Sequence, residues 1–151
     1  MGDYVITITV NSGVFSLGNG ASGTTVFKGA NATLGTRNML KRVEFGTGIT
    51  AINAYCFYQY YSLESVTFPN NIKTFNNCSF YYCYNLKQVT IPSGTTAINA
   101  ATCFSSCYRL VSISIPNTVT TIGYLSFQSD YALKSLSIPT SVTSLGGSVI
   151  G

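Results

Sequence analysis

A leucine recurs along this chain at an almost constant interval, and that interval restricts the fold more than any other feature of the sequence. The steps between successive copies are 23, 23, 24 and 23 residues, through Leu40, Leu63, Leu86, Leu110 and Leu133. A fixed period of this length is typical of a solenoid, in which each repeat forms one rung of a stack. The extra residue of the third rung falls between Ile98 and Phe104, and we expect a local bulge there because surface turns absorb insertions best.

Each rung carries apolar residues in fixed slots. An aliphatic residue stands three positions after the leucine and another apolar residue two positions later, which predicts a half-buried strand. All four prolines of the chain occupy the next slot, and proline ends a strand because it lacks the amide that a sheet needs. A second apolar pair follows, and then a small residue before Phe57, Phe80, Phe104 or Phe127. One rung cannot bury these side chains alone, so they are predicted to form columns, each contributing about 1.5–3 kcal/mol when buried.

This combination of slots resembles the BspA-like, or treponemal-type, leucine-rich repeat. The pattern that carries the resemblance is Leu-x-x-Val-x-Ile-Pro, then Val-Thr-x-Ile, then a small residue and Phe-x-x-Cys-x-x-Leu, over most of the chain. Three positions depart from it: the first rung has Gly46 in place of proline, and Tyr60 and Asp130 replace the cysteine. The resemblance implies a strand-rich solenoid with short helical turns around the Phe-x-x-Cys/Tyr segments. It also implies attachment to host proteins or to other cells.

The first 39 residues do not fit the repeat register, and we predict that residues 1–39 form an N-terminal cap. The solenoid then occupies residues 40–151, as four full rungs and one truncated rung. Residues 4–10 alternate apolar side chains with threonine, which predicts a strand. A turn signal and a candidate return strand over residues 14–17 follow, so the cap is predicted to be a β hairpin with a Gly-rich loop. A degenerate repeat beginning at Leu17 is the competing interpretation, and a glycine in its valine slot argues against it.

The other end of the chain is truncated within the repeat. Val149 occupies the small slot and Ile150 the phenylalanine slot, and Gly151 follows. An exposed last strand is a template for pairing with another chain. We therefore expect either that the sequence is cut short or that this end packs on a partner, which includes a homo-oligomer through the uncapped end.

The five cysteines are predicted to be structural. Cys56 and Cys103 alternate with serine in the small slot, and they lie two rungs apart, about 10 Å, which is too far for a disulfide. Cys83 and Cys107 lie on adjacent rungs with parallel side chains, which suits a bridge poorly, so we predict buried free thiols. Cys78 stands alone in its column and is a candidate for exposure.

Composition excludes several classes of function. The chain has no histidine and only four carboxylates, and the carboxylates fall in different slots, so no acid–base pair, enzyme activity or cofactor site is predicted. No CxxC pair is present to bind a metal. The net charge of +4 comes from scattered basic residues, which predicts no nucleic-acid binding. No run of about 18 apolar residues exists to cross a membrane, and the first residues lack the features of a secretory signal peptide.

Tyrosine is the most skewed choice of residue, with eleven copies and no tryptophan. One tyrosine stands two positions before the leucine of each following rung, and others widen this column in the first two rungs. Tyrosine combines rigid contact area with a hydroxyl group, which suits a binding surface. The alternative is that the column only stacks and covers a turn. The candidate partner-binding residues are Tyr58, Tyr61, Tyr81, Tyr82, Tyr84, Tyr108 and Tyr131, with Tyr60 as a further member of the widened column.

The outward face of the first strand is a second candidate surface. It presents Arg42/Glu44 and then serine, threonine and glutamine pairs, and it is either a site for a glycan or protein or an ordinary solvated face. The predicted function is non-enzymatic surface recognition or adhesion, with a protein or glycan partner and an extracellular, cell-surface or virion-surface location. The alternative is a self-assembling structural subunit, such as a virion decoration or a filament protein.

Overall fold

Two parallel sheets run along the stack, and each rung contributes one short strand to each sheet. The computed structural model describes residues 4–8, 38–99 and 101–151. The first sheet has the order β1-β2-β4-β6-β8 and the second has the order β10-β9-β7-β5-β3. In chain order the strands are β1 Tyr4–Ile8, β2 Leu40–Phe45, β3 Ala51–Ile52, β4 Ser65–Thr67, β5 Thr74–Phe75, β6 Gln88–Thr90, β7 Ala97–Ile98, β8 Ser112–Ser114, β9 Thr121–Ile122 and β10 Ser144–Leu145.

The strand pairs keep the register that the leucine spacing predicts. Val43 lies opposite Val66 in the first sheet, and Ile98 lies opposite Ile122 in the second. At each proline slot the carbonyl accepts a hydrogen bond from the amide three residues later, as in Thr95 N to Pro92 O at 3.0 Å. Proline therefore opens the turn between the two sheets, and the predicted strand-rich repeat solenoid is confirmed.

A third side of each rung is built from turns, and no helix occurs among the described residues. The short helical turns expected around the Phe-x-x-Cys/Tyr segments are therefore wrong. Two residues per rung, four positions apart, have a left-handed backbone that a right-handed helix cannot accommodate. Their φ angles lie between 51° and 64°, at Tyr55, Gln59, Cys78, Tyr82, Thr102, Ser106, Leu125, Ser129 and Ser148. Alternate amides on this side donate to the next rung, as in Phe80 N to Cys103 O at 2.8 Å.

The core is a set of columns with a phenylalanine stack at its centre. Phe80 stacks on Phe57 with ring centroids 5.0 Å apart and on Phe104 at 5.2 Å, and Phe104 continues to Phe127 at 5.9 Å. The leucines that begin the first four rungs are buried beside this stack. The predicted columns are therefore present, because parallel pairing at equal register places equivalent side chains above one another.

The two ends differ from the middle of the stack. β1 pairs in parallel with β2, so part of the predicted strand over residues 4–10 is confirmed, whereas the expected hairpin return and Gly-rich loop lie outside the described residues. The strand expected around Leu136 is not formed. Among the described residues only the fourth rung packs against this segment, and Leu133 and Leu136 remain half-buried. The division of the chain at residue 39 stays a prediction.

The extra residue of the third rung lies in the predicted interval. Ile98 pairs with Phe75, and Cys78 N donates to Ala101 O at 3.2 Å, so the chain has gained its extra residue before Thr102. The register of the rungs on either side is unchanged. Position 100 lies outside the described residues, so the shape of the expected bulge stays a prediction.

Candidate functional site

Four of the predicted tyrosines form a continuous stack on the outside of the turns. Tyr61 lies 4.8 Å from Tyr84 between ring centroids, Tyr84 lies 4.6 Å from Tyr108, and Tyr108 lies 5.4 Å from Tyr131. The angles between ring planes are 26°, 7° and 22° in the same order. Exposure increases along this tyrosine ladder, from half-buried Tyr61 and Tyr84 to 39% at Tyr108 and 78% at Tyr131.

The remaining three predicted tyrosines form a cluster beside the ladder. Tyr58 lies 5.8 Å from Tyr81, and Tyr81 stacks on Tyr82 at 3.8 Å. The hydroxyl of Tyr81 donates a hydrogen bond to the hydroxyl of Tyr82 at 2.7 Å. Burial and this hydrogen bond both raise the pKa of Tyr81, so its hydroxyl stays protonated at physiological pH. Tyr55 joins the cluster edge-on to Tyr58 at 5.7 Å.

The ladder and the cluster form one surface, which we call the tyrosine face. They meet where Tyr82 packs edge-on against Tyr84 at 5.8 Å. Tyr60 is not part of it, and its expected place in the widened column is wrong. Its ring is fully buried and packs against Phe57 at 5.4 Å, because its slot, three residues after the phenylalanine, points into the core. The tyrosine face consists of Tyr55, Tyr58, Tyr61, Tyr81, Tyr82, Tyr84, Tyr108 and Tyr131.

Stacking decides which part of each ring a partner can touch. Within the ladder, the faces of Tyr84 are covered by Tyr61 and Tyr108, so its ring edge and hydroxyl are the parts that remain for a partner. A sugar ring binds an aromatic side chain chiefly through the flat face, and the interior of the ladder does not offer one. The tyrosine face is therefore suited to a partner with its own hydrogen-bonding groups and apolar edges, as a protein surface has.

All five cysteines are free thiols, as predicted for the pair Cys83 and Cys107. The thiol of Cys83 donates to Phe57 O at 3.2 Å, and that of Cys107 donates to Phe80 O at 3.4 Å. Burial raises the pKa of both thiols, and it raises the pKa of Cys103 to about 12. These thiols therefore act as small buried side chains and not as nucleophiles.

Asp130 places a carboxyl group in the buried slot that cysteine fills in the two rungs before it. Its side chain is 7% exposed, and its Oδ1 accepts a hydrogen bond from Cys107 N at 2.8 Å. Its Oδ2 is buried without a hydrogen-bond partner. Burial raises the pKa of this carboxyl to about 8, with the Cys107 amide opposing the shift. The group is isolated from other carboxylates, so it forms no catalytic pair.

A groove lined by basic residues lies next to the tyrosine face, and the sequence interpretation missed it. Its volume is about 660 Å³, and Arg42, Lys87 and Arg109 line it together with Glu64, Ser65, Gln88, Val111 and Ala132. These residues occupy neighbouring slots around the rung leucine. Aligning charges by slot, instead of by position along the chain, would have revealed it. We call it the basic groove.

Chemistry beyond binding has little support in the described part of the chain. No group of three or more histidine, cysteine or acidic residues that could hold a metal ion occurs in residues 4–8, 38–99 and 101–151. In the same residues no helix is long and apolar enough to cross a membrane. The outward residues of the first sheet, such as Gln88 and Thr90, are exposed as predicted.

The fold defines the class of the protein as a leucine-rich repeat solenoid. The model of the BspA type leucine rich repeat region matches residues 33–150 in six copies. The chain therefore belongs to the BspA-type leucine-rich repeat family, as the sequence pattern predicted. No curated protein matches the chain.

Two solved structures are similar to the chain. A leucine rich cell surface protein from Faecalibacterium prausnitzii A2-165 is 26% identical, with a TM-score of 0.52 over 93% of this chain and 43% of that protein. The leucine rich repeat protein of T. pallidum is 20% identical, with a TM-score of 0.55 over 74% of this chain and 62% of that protein, and this likeness concerns the fold alone. The chain spans less than two thirds of the length of either protein.

Proposed function

We propose that this chain is a non-enzymatic recognition module that acts at a cell surface and binds a protein partner through the tyrosine face. The observation that carries the proposal is the joining of seven predicted tyrosines and Tyr55 into one accessible aromatic surface. Membership of the leucine-rich repeat family supports a role in protein interaction. The likeness to a bacterial leucine rich cell surface protein supports the location.

Tyrosine surfaces are well suited to protein partners. Each ring adds rigid contact area and loses little side-chain freedom on binding, because it has only two rotatable side-chain bonds. Stacking in the ladder restrains the rings before a partner arrives, which lowers the entropy cost of association. A protein partner is favoured over a glycan because the ring faces inside the ladder are already covered by neighbouring rings.

A binding assay with matched tyrosine variants tests the proposal. Purified fibronectin, laminin and collagen would be coated on biosensors and the 151-residue chain passed over them. We expect saturable binding to at least one, and Tyr131→Ser should weaken it about tenfold, as for an aromatic residue at an interface. The control is Tyr124→Ser, since Tyr124 is also exposed but has no ring contact with the tyrosine face among the described residues. Equal loss in both variants, or no binding to any of the three, would count against the proposal.

Self-assembly into a structural subunit is the second candidate, and two exposed apolar side chains favour it. Leu145 is 53% exposed and Ile150 is 56% exposed on the last rung of this chain. Packing of these side chains on another copy would remove apolar surface from water. Light scattering after size-exclusion chromatography should then show an oligomer that Leu145→Ser with Ile150→Ser converts to a monomer. A strictly monomeric parent chain at millimolar concentration would remove this candidate.

A further inference from the structure

We propose that the basic groove is a second binding site, for a polysaccharide that carries sulfate or carboxylate groups along its length. The proposal does not depend on the tyrosine face, because it concerns a different surface and a different class of ligand. It depends on three features of the groove: the charges that line it, their separation along the stack, and the polar groups between them.

The basic groove gathers charge that looks scattered in the sequence. Arg42, Lys87 and Arg109 line it against one carboxylate, Glu64, so its lining is net positive. Lys41 stands beside it in the same slot as Glu64 and Lys87, because Glu64 N donates to Lys41 O at 2.8 Å and Lys87 N donates to Glu64 O at 3.2 Å. Half of the eight lysines and arginines of the chain therefore lie in or beside this groove.

Glu64 organises the lysines and limits the charge. Its carboxylate lies 2.6 Å from Lys87 Nζ and 4.0 Å from Lys41 Nζ, and these exposed side chains are held side by side on successive rungs. An arriving anion competes with Glu64 for the same lysines. Removing the negative charge of Glu64 should therefore strengthen anion binding.

The spacing of the charges requires a ligand with several anionic groups. Arg42 and Lys87 belong to the first and third rungs, which places them about 10 Å apart along the stack at the usual separation of parallel strands. Arg109, at the start of the fourth rung, extends the line, and its Nη1 donates to Asn85 Oδ1 at 3.1 Å. A single phosphate ion cannot reach all three, whereas a linear polyanion that follows the groove can.

The polar groups of the groove favour a polysaccharide over an acidic peptide. Ser65 and Gln88 are direct neighbours in the first sheet, and both side chains are exposed, so they can bond sugar hydroxyl groups between the charges. An extended peptide gains most from pairing with a free strand edge, and the strands that support the groove are paired within the sheet. A stiff sugar polymer also loses less conformational freedom on binding than a flexible acidic peptide.

The test measures binding of the 151-residue chain to an immobilised heparin dodecasaccharide at two salt concentrations. Lys87→Gln should weaken binding roughly threefold, and Glu64→Gln should strengthen it by a similar factor, as expected for exposed charges. Lys73→Gln is the matched control, because Lys73 is also an exposed lysine but does not line the groove, and it should change the affinity less than twofold. The affinity of the parent chain should fall as salt rises.

Three results would overturn the proposal. One is equal weakening by Lys87→Gln and Lys73→Gln, which would indicate attraction to the overall positive charge. Another is no change in Glu64→Gln. The third is tighter binding of poly-glutamate than of heparin at equal charge, which would assign the groove to acidic peptides. Tyr131→Ser should leave heparin binding unchanged, so this site and the tyrosine face can fail separately.

Discussion

The molecule contains two aromatic stacks with the same repeat spacing, one inside the solenoid and one outside. The inner stack is the phenylalanine column around Phe80, whose centroid distances are 5.0, 5.2 and 5.9 Å. The outer stack is the tyrosine ladder around Tyr84, with distances of 4.8, 4.6 and 5.4 Å. The inner rings are almost fully buried, whereas the ladder ends in Tyr131 at 78% exposure.

The difference shows that one register produces both a core and a surface. Parallel stacking places every slot above its copy, whether the slot points inward or outward. Burial then decides what a column contributes: the inner stack removes apolar area from water, and the outer stack keeps part of its rings and hydroxyls available. Changes at matched positions should therefore alter stability in the inner stack and binding in the outer one.

The largest effect is expected in the inner stack. Phe80→Ala should lower the free energy of unfolding by about 3–5 kcal/mol, because it leaves a cavity between two stacked rings. Urea unfolding measures the change. Phe80→Leu is the control, since it fills most of the space and should cost clearly less. A loss below about 1 kcal/mol for the alanine variant would mean that the inner stack is not the core.

The next effect concerns the slot between the two stacks, where Asp130 is buried. Its pKa of about 8 lies above the ordinary value of 3.8, so the folded chain holds a proton that the unfolded chain has lost across this range. Stability should therefore be highest below about pH 4 as far as this group is concerned, and should fall by about 2–4 kcal/mol as the pH rises to about 8. Urea unfolding at intervals of pH measures the slope.

Asp130→Asn provides the control for this pH dependence, because the amide has nearly the same shape and does not titrate. The fall in stability between about pH 4 and pH 8 should disappear in this variant. Asp130→Cys restores the residue found at Cys83 and Cys107 and should behave in the same way. A slope that persists in both variants would assign the proton to another group.

The smallest effects are expected in the outer stack. Tyr84→Ala removes a half-buried ring with a neighbour on each side and should cost about 1–2 kcal/mol, whereas Tyr131→Ala removes an exposed ring with one neighbour and should cost less than about 0.5 kcal/mol. Chemical unfolding of the two variants under the same conditions gives the comparison. Equal costs would show that the ladder contributes to stability independently of burial.

The sequence was sufficient for the register and insufficient for what the register gathers. Leucine spacing and the proline slot predicted the strands and the buried columns, because burial of repeated apolar side chains allows few alternatives. Tyr60 was misplaced because a buried slot was judged by residue type. The left-handed turns were missed because residues such as Leu125 and Thr102 give no local signal for a positive φ.

The basic groove was missed for a different reason. Arg42, Lys87 and Arg109 are far apart in sequence, and only their slots place them together. Charge patterns are usually judged along the chain, whereas in a solenoid the relevant neighbours are one or two rungs away. The tyrosine ladder was predictable because all four of its members occupy the same slot.

The most direct test of the division between a core stack and a binding surface is one variant measured in two ways. Tyr58, Tyr81 and Tyr82 would be changed to serine together, and both the melting temperature and the affinity for the matrix protein bound by the parent chain would be recorded. We predict at least a tenfold loss of affinity with a melting temperature lowered by only a few degrees, about what 1 kcal/mol produces in a chain of this size. A melting temperature as low as that of Phe80→Ala, with affinity unchanged, would contradict the account.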